Sequence, residues 1–147
     1  MSGPITPYKF STNIKVRYAD TDMQQHVFFG NYFVYFDEAL MEYFDLLHFG
    51  YPVILPQGLD WVYADAHASY KGAAKLADRL AVHARIARIG NSSITAAFQI
   101  FNQTGGALIT TGELTIVVVD ARTMQPARVP DAFREAVAQY QGERADV

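Results

Sequence analysis

From residue 31 to about residue 48 the apolar side chains fall at helical spacing and are too many for a surface helix. At roughly 100° per residue, Tyr32, Phe33, Tyr35, Phe36, Ala39, Leu40, Tyr43, Phe44, Leu46 and Leu47 cover about half of the circumference. Asp37, Glu38, Asp45 and His48 share the other side, with Val34 and Met41 among them. A helix this apolar over about five turns must be largely enclosed. Its acidic residues exclude a membrane span. Asn31 suits the N-cap, Gly50 lies near the expected end, and Pro52 should block continuation.

What can enclose such a helix is read from the rest of the chain. Residues 13–18 alternate, with Ile14, Val16 and Tyr18 on the side expected to be buried and Lys15 and Arg17 on the other. Residues 60–70 mix Trp61, Tyr63, His67 and Tyr70. Leu80, Val82, Ala84 and Ile86 alternate with Ala81, His83, Arg85 and Ala87. Gly90 and Asn91 mark a turn, residues 93–101 a further strand, 102–106 a second turn and 107–120 a last strand. The run Thr115, Ile116, Val117, Val118, Val119 predicts burial on both faces. A short helix should begin near Pro130, with Phe133, Val137 and Tyr140 on one face. Strands joined by tight turns favour an antiparallel sheet, and one long apolar helix across it satisfies both. The expectation is an α+β fold in a single domain, residues 1–147. A small sheet leaves edges that a second subunit could cover.

Composition removes several classes of function. The chain carries a net charge of −3 and no cysteine, so a basic face for nucleic acid, thiolate catalysis and disulfides are not expected. Half of the residues are hydrophobic, and ten Phe, nine Tyr and one Trp favour a dense core, an interface, or both. Residues 1–11 show no apolar run after a basic start, so no secretory leader and no membrane attachment are expected, and the location expected is cytoplasmic. His26, His48, His67 and His83 lack ligand spacing, so no metal is expected.

Residues 17–39 read RYADTDMQQHVFFGNYFVYFDEA. This block closely resembles the signature of the 4-hydroxybenzoyl-CoA thioesterase-like family of hot-dog proteins. The matching pieces are Asp20-Thr21-Asp22, His26-Val27 and Asn31-Tyr32. Weaker similarity continues through Ser69-Tyr70 to Asp78, residues 89–93 and Val129-Pro130. The chain departs from the family at Gln25, where many members carry glycine, and just before Asp78, where the family's glycine is missing.

The resemblance implies a hot-dog fold, in which an antiparallel β-sheet wraps a long central helix. It implies a thioesterase acting on an acyl-CoA substrate without a cofactor, as a homodimer or homotetramer. It makes Asp22 the catalytic carboxylate and places the carbonyl-polarising backbone amide at about Phe29 or Gly30. It also points to Arg85, Arg88, Asn91 and Ser92 as a CoA-binding group, against the competing reading of an exposed, solubilising strand end. His26, Phe28, Asn31, Tyr32, Trp61 and Tyr63 are candidates for substrate binding. Core packing competes for the aromatic residues and loop packing for His26.

The chemistry suits these residues. A helix start offers free N–H donors and the positive end of the helix dipole. A carboxylate can activate water or attack the thioester directly. An Asp between strand and helix also serves as a turn former, the ordinary alternative for Asp22, and Asp20 is read as a structural acceptor. Glu38 and Glu42, one turn apart on the helix, are the fallback carboxylates. The competing activities are a hot-dog dehydratase or hydratase and a non-catalytic acyl-CoA-binding module. Asp22 and His26 are four residues apart, one short of the spacing the first would take.

Overall fold

The computed structural model describes residues 8–146. The N-terminal stretch examined for a leader lies mostly outside them. Five strands, β1 (Phe10–Lys15), β2 (Leu59–Tyr70), β3 (Arg79–Ile89), β4 (Ser93–Asn102) and β5 (Leu108–Asp120), form one sheet in the order β1-β3-β4-β5-β2. Every pairing is antiparallel. Helix α1 (Asn31–Leu46) lies against it, followed by a short α2 (Tyr51–Ile54), and α3 (Asp131–Gln141) closes the described chain. The α+β arrangement read from the alternating segments is present.

The core sits between α1 and the sheet. Tyr32, Tyr35, Phe36, Ala39, Leu40, Tyr43 and Phe44 are buried along one side of the helix. Leu80, Val82, Ala84 and Ile86 meet them from β3. Phe36 stacks on Phe98 of β4 at 4.7 Å between ring centres. Gly112 makes this approach possible, because a Cβ there would meet the Phe36 ring at 2.5 Å. Each such aromatic ring contributes roughly 2–3 kcal/mol through burial, so the helix is held by the sheet more than by its own propensity.

Strand β1 reaches only to Phe10 opposite Ala84, leaving the outward backbone groups of Ile86 without a strand partner. Gln141 of α3 replaces it. Its Oε1 accepts the Ile86 N–H at 2.7 Å, and its Nε2 donates to the Ile86 carbonyl at 3.0 Å. The Tyr43 hydroxyl donates to the same Oε1 at 2.7 Å.

Several details correct the expectations. Tyr18 is 81% exposed, because β1 ends at Lys15 and Tyr18 starts a 3₁₀ turn (Tyr18–Asp20). Asn31 is the first helical residue and Gly30 takes the cap position, with no side-chain cap. Leu46, expected on the packed face, is half exposed at the last turn. Pro52 is the second residue of α2, a first-turn position where its missing N–H costs nothing. In β5, Ile116, Val118 and Val119 are buried, while Thr115 and Val117 are only partly so. Its outer side is therefore half covered, with Thr115 sharing a 3.1 Å hydroxyl contact with Thr95.

Candidate active site

Residues 21–27 form a small hairpin between β1 and α1. Thr21 bridges Val27. Inside it the Asp22 N–H donates to the His26 carbonyl at 3.0 Å, and the Gln25 N–H to the Asp22 carbonyl at 2.9 Å. Gln25 takes φ 68°, the left-handed region, which fits the glycine usual there in the family. The Asp22 carboxylate accepts the Gln24 N–H through Oδ1 at 2.8 Å. Its Oδ2 has no hydrogen-bond partner among the described residues. Asp22 thus forms a turn and also lines a cleft of about 700 Å³, together with Tyr18, Thr21, Met23, Gln25, Lys75 and Leu76.

Asp20 is built oppositely. Its carboxylate is buried and accepts the Arg17 backbone N–H at 3.0 Å, Arg17 Nη2 at 2.9 Å and the Tyr35 hydroxyl at 2.9 Å. Burial pushes its pKa up, but the Arg17 and Tyr35 hydrogen bonds outweigh that and hold it below the ordinary Asp value. Burial and the neighbouring Asp20 carboxylate raise Tyr35 in turn. The Asp20 carbonyl accepts the Phe28 N–H at 3.0 Å and Asn31 Nδ2 at 2.9 Å. One residue therefore ties the end of β1, the body of α1 and the entry to α1 together.

That entry leaves two amides over. Phe28 donates to Asp20, and Asn31 to the Phe28 carbonyl at 2.8 Å. Among the described residues, the N–H groups of Phe29 and Gly30 make no hydrogen bond. They lie at the start of α1, where the helix dipole favours negative charge. The Phe29 peptide is held from its other side, as the Tyr70 hydroxyl donates to its carbonyl at 2.9 Å. Tyr32 accepts the Ala74 N–H on its hydroxyl at 3.2 Å, and the Val27 N–H donates to the Ala74 carbonyl at 2.8 Å. Segment 70–78 therefore backs the hairpin.

The other candidates fall in several places. His26 packs in the loop, its Nδ1 3.2 Å from the Val27 carbonyl. Phe28 and Phe29 are about half exposed, their rings 4.7 Å apart. Trp61 is not brought to Asp22 within one chain. It is buried at the far end of α1, stacked on Phe49 and Tyr51 and edge-on to Phe44. Tyr63 hydrogen-bonds Asp37 on α1. Arg88, Asn91 and Ser92 lie at the β3–β4 turn. Lys15 beside Arg79 marks the Asp22 end of β3, so that turn is ten residues, or about 33 Å, away. Arg85, between them, reaches Glu143 at 3.5 Å, and Asn91 receives Arg128 at 3.4 Å. Among the described residues no three His or carboxylate side chains gather as a metal site, and no helix is long and apolar enough to cross a membrane. Sequence reasoning passed over Tyr70, Ala74 and Lys75. Their only signal was the weak similarity over residues 69–78.

A five-stranded antiparallel sheet around one long helix is the hot-dog fold, and the class of protein is thioester hydrolase. The chain belongs to the thioesterase-like superfamily, whose family model matches residues 16–137. It is 27% identical over 128 residues to the acyl-CoA thioesterase YbgC of Haemophilus influenzae, spanning 86% of this chain and 93% of that one. It is 24% identical over 124 residues to the acyl-CoA thioester hydrolase YbgC of Escherichia coli O6:H1, spanning 84% and 92%. The DHNA-CoA thioesterase of Staphylococcus aureus superposes with a TM-score of 0.80 at 25% identity, over 93% of this chain and 97% of that one.

Proposed function

We propose that this protein hydrolyses acyl-CoA thioesters, with Asp22 as the catalytic carboxylate and the N–H groups of Phe29 and Gly30 as the donors that polarise the thioester carbonyl. The observation that carries the reading is the pair of unused amides at the start of α1, on the same entry segment as a carboxylate with one uncommitted oxygen. Donors fixed in place stabilise an oxyanion without reorganising during the reaction. Asp22 either takes a proton from the attacking water or attacks the carbonyl carbon itself to give a mixed anhydride, which water then opens. In both routes the carbonyl reforms and expels the CoA thiolate, a good leaving group that needs no strong acid. One turnover in ¹⁸O-water separates them, since only the anhydride route can leave label in Asp22.

The active unit in this reading is a homodimer or homotetramer. Support comes from β2, twelve residues long, which forms an uncovered edge and is exposed over most of its length beyond Trp61. The turn with Arg88, Asn91 and Ser92, as a CoA-binding group, would then act on a neighbouring copy, as would Trp61 and Tyr63 as pocket walls.

The test is thiol release from a panel of acyl-CoA esters by the wild type and by Asp22→Asn. The expected result is turnover of at least one ester and a loss of about 10²-fold or more in kcat for the variant, with the fold intact. A loss of only a few-fold would move the chemistry to another carboxylate, Glu38 or Glu42 first.

A further inference from the structure

The cleft that Asp22 lines also holds an ammonium group. Lys75 borders it, exposed, and among the described residues Lys75 makes no ion pair. Its backbone is fixed from both sides. The Lys75 N–H donates to the Asp78 carboxylate at 2.8 Å, and the preceding carbonyl accepts Val27 at 2.8 Å. The main chain is held while the side chain is left to solvent.

The neighbouring charges sharpen the contrast. Asp20 is committed to Arg17 and Tyr35, and Asp78 to the Lys75 N–H and Asn102 Nδ2. Lys15, Lys71 and Arg79, at this same end of the sheet, also form no ion pair among the described residues. Around the far turn Arg85 pairs with Glu143, Arg128 with Asp131 and Arg134 with Asp146, while Arg88 reaches only the Thr95 hydroxyl, at 3.4 Å. In a chain of net charge −3, Lys75 is the cation that lines the Asp22 cleft. A site that presents a carboxylate to a polyanionic thioester needs a cation near its mouth to offset the repulsion. Tyr18, Met23 and Leu76 give the same cleft an exposed apolar wall, suited to the methylene and amide arm that separates a thioester from its phosphates.

Resting on the thioesterase reading above, we infer that Lys75 is a specificity residue that binds a phosphate group of the pantetheine carrier at the mouth of the Asp22 cleft. A phosphate is carried next to the pantetheine arm in both CoA and carrier-protein thioesters, and CoA adds those of its nucleotide. Lys75 acts on binding and leaves the chemical step to Asp22.

The experiment measures kcat and KM for one acyl group, the best in the panel above, as its CoA, phosphopantetheine and pantetheine thioesters. The enzymes are the wild type, Lys75→Gln and Lys75→Arg. The expected result is a rise in KM of about ten-fold for Lys75→Gln on phosphate-bearing thioesters, with kcat unchanged, no effect on the pantetheine thioester, and recovery in Lys75→Arg. A rise on both phosphate-bearing thioesters assigns Lys75 to the phosphate on pantetheine, and a rise on CoA alone to the nucleotide phosphates. Either supports the inference. Equal changes on all three thioesters, or none on any, overturn it while the hydrolase reading stands. If the wild type hydrolyses none of the panel, the hydrolase reading fails and this inference with it.

Discussion

Replacing Asp20 tests whether the entry to α1 is held as described. In Asp20→Ala the Tyr35 hydroxyl loses its acceptor in a buried setting, at a cost of about 1–3 kcal/mol. The Arg17 backbone N–H loses a charge-assisted bond, about 1.5 kcal/mol more. The Arg17 guanidinium is 71% exposed, so solvent screens its pair with Asp20 and the pair adds little. The expected destabilisation is about 3–4 kcal/mol, read by urea unfolding. Trp61 is the only tryptophan and is buried, which makes its fluorescence a clean signal. The pH dependence carries a sign. Asp20 has a folded pKa below its ordinary 3.8, so the unfolded chain takes up the proton first as pH falls. Its contribution is therefore complete above that ordinary value and is lost as pH drops through the lower folded value. Asp20→Asn cannot titrate and lacks that part of the acid slope. A cost below about 1 kcal/mol for Asp20→Ala, or parallel acid unfolding of wild type and Asp20→Asn, would refute the reasoning.

Gln25 and Ala77 both occupy left-handed backbone, φ 68° and 70°, so Gln25→Gly and Ala77→Gly should each stabilise by about 0.5–1 kcal/mol in the same assay. Destabilisation by either would show that its side chain supplies more than the strain it causes. Gln141→Leu strands the Ile86 N–H and carbonyl and the Tyr43 hydroxyl, and should cost about 3 kcal/mol or more. Tyr43→Phe, which leaves Gln141 bonded to Ile86, should cost about 1 kcal/mol. Sedimentation should find a dimer or tetramer at micromolar concentration, and a stable monomer would contradict a site shared between copies.

Periodicity made the frame legible because the physics behind it is local. Leu80, Val82, Ala84 and Ile86 alternate since they face one side of a strand, and the α1 stripe is apolar since the sheet covers it. It failed at Tyr18 and Leu46 because alternation cannot say where an element stops. It failed at Asn31 because the side chain that would cap its own helix bonds the Asp20 carbonyl eleven residues back. Asp22 was legible as a candidate through a block of contiguous residues. Tyr35, Tyr70 and Lys75 were not, since each reaches the hairpin from a distant part of the chain. The two missing family glycines are instructive for the same reason. The backbone is left-handed at Gln25 and Ala77 although neither is glycine: Val16 ties the Ala77 loop to the strand end through the Ala77 N–H and the Asp78 carbonyl, and the Val27 N–H ties the Gln25 hairpin to the Ala74 carbonyl.

Two aspartates separated by one threonine have opposite surroundings, and that difference is what the proposed hydrolysis at Asp22 requires. A carboxylate saturated with donors has no lone pair to offer a water or a carbonyl carbon, whatever its position. Asp20 is in that state, and its energy goes into fixing the strand end, Tyr35 and the start of α1. A carboxylate with no donors at all would swing freely and lose the alignment that makes attack efficient. Asp22 lies between these limits: Oδ1 is held by the Gln24 N–H, Oδ2 has no hydrogen-bond partner among the described residues, and the residue lines the cleft. The same logic divides the amides at the helix start. Phe28 and Asn31 use theirs to hold the turn, while those of Phe29 and Gly30 make no hydrogen bond among the described residues. Exchanging the environments of the two aspartates would keep every residue type in the motif and remove both the scaffold and the proposed reactive group.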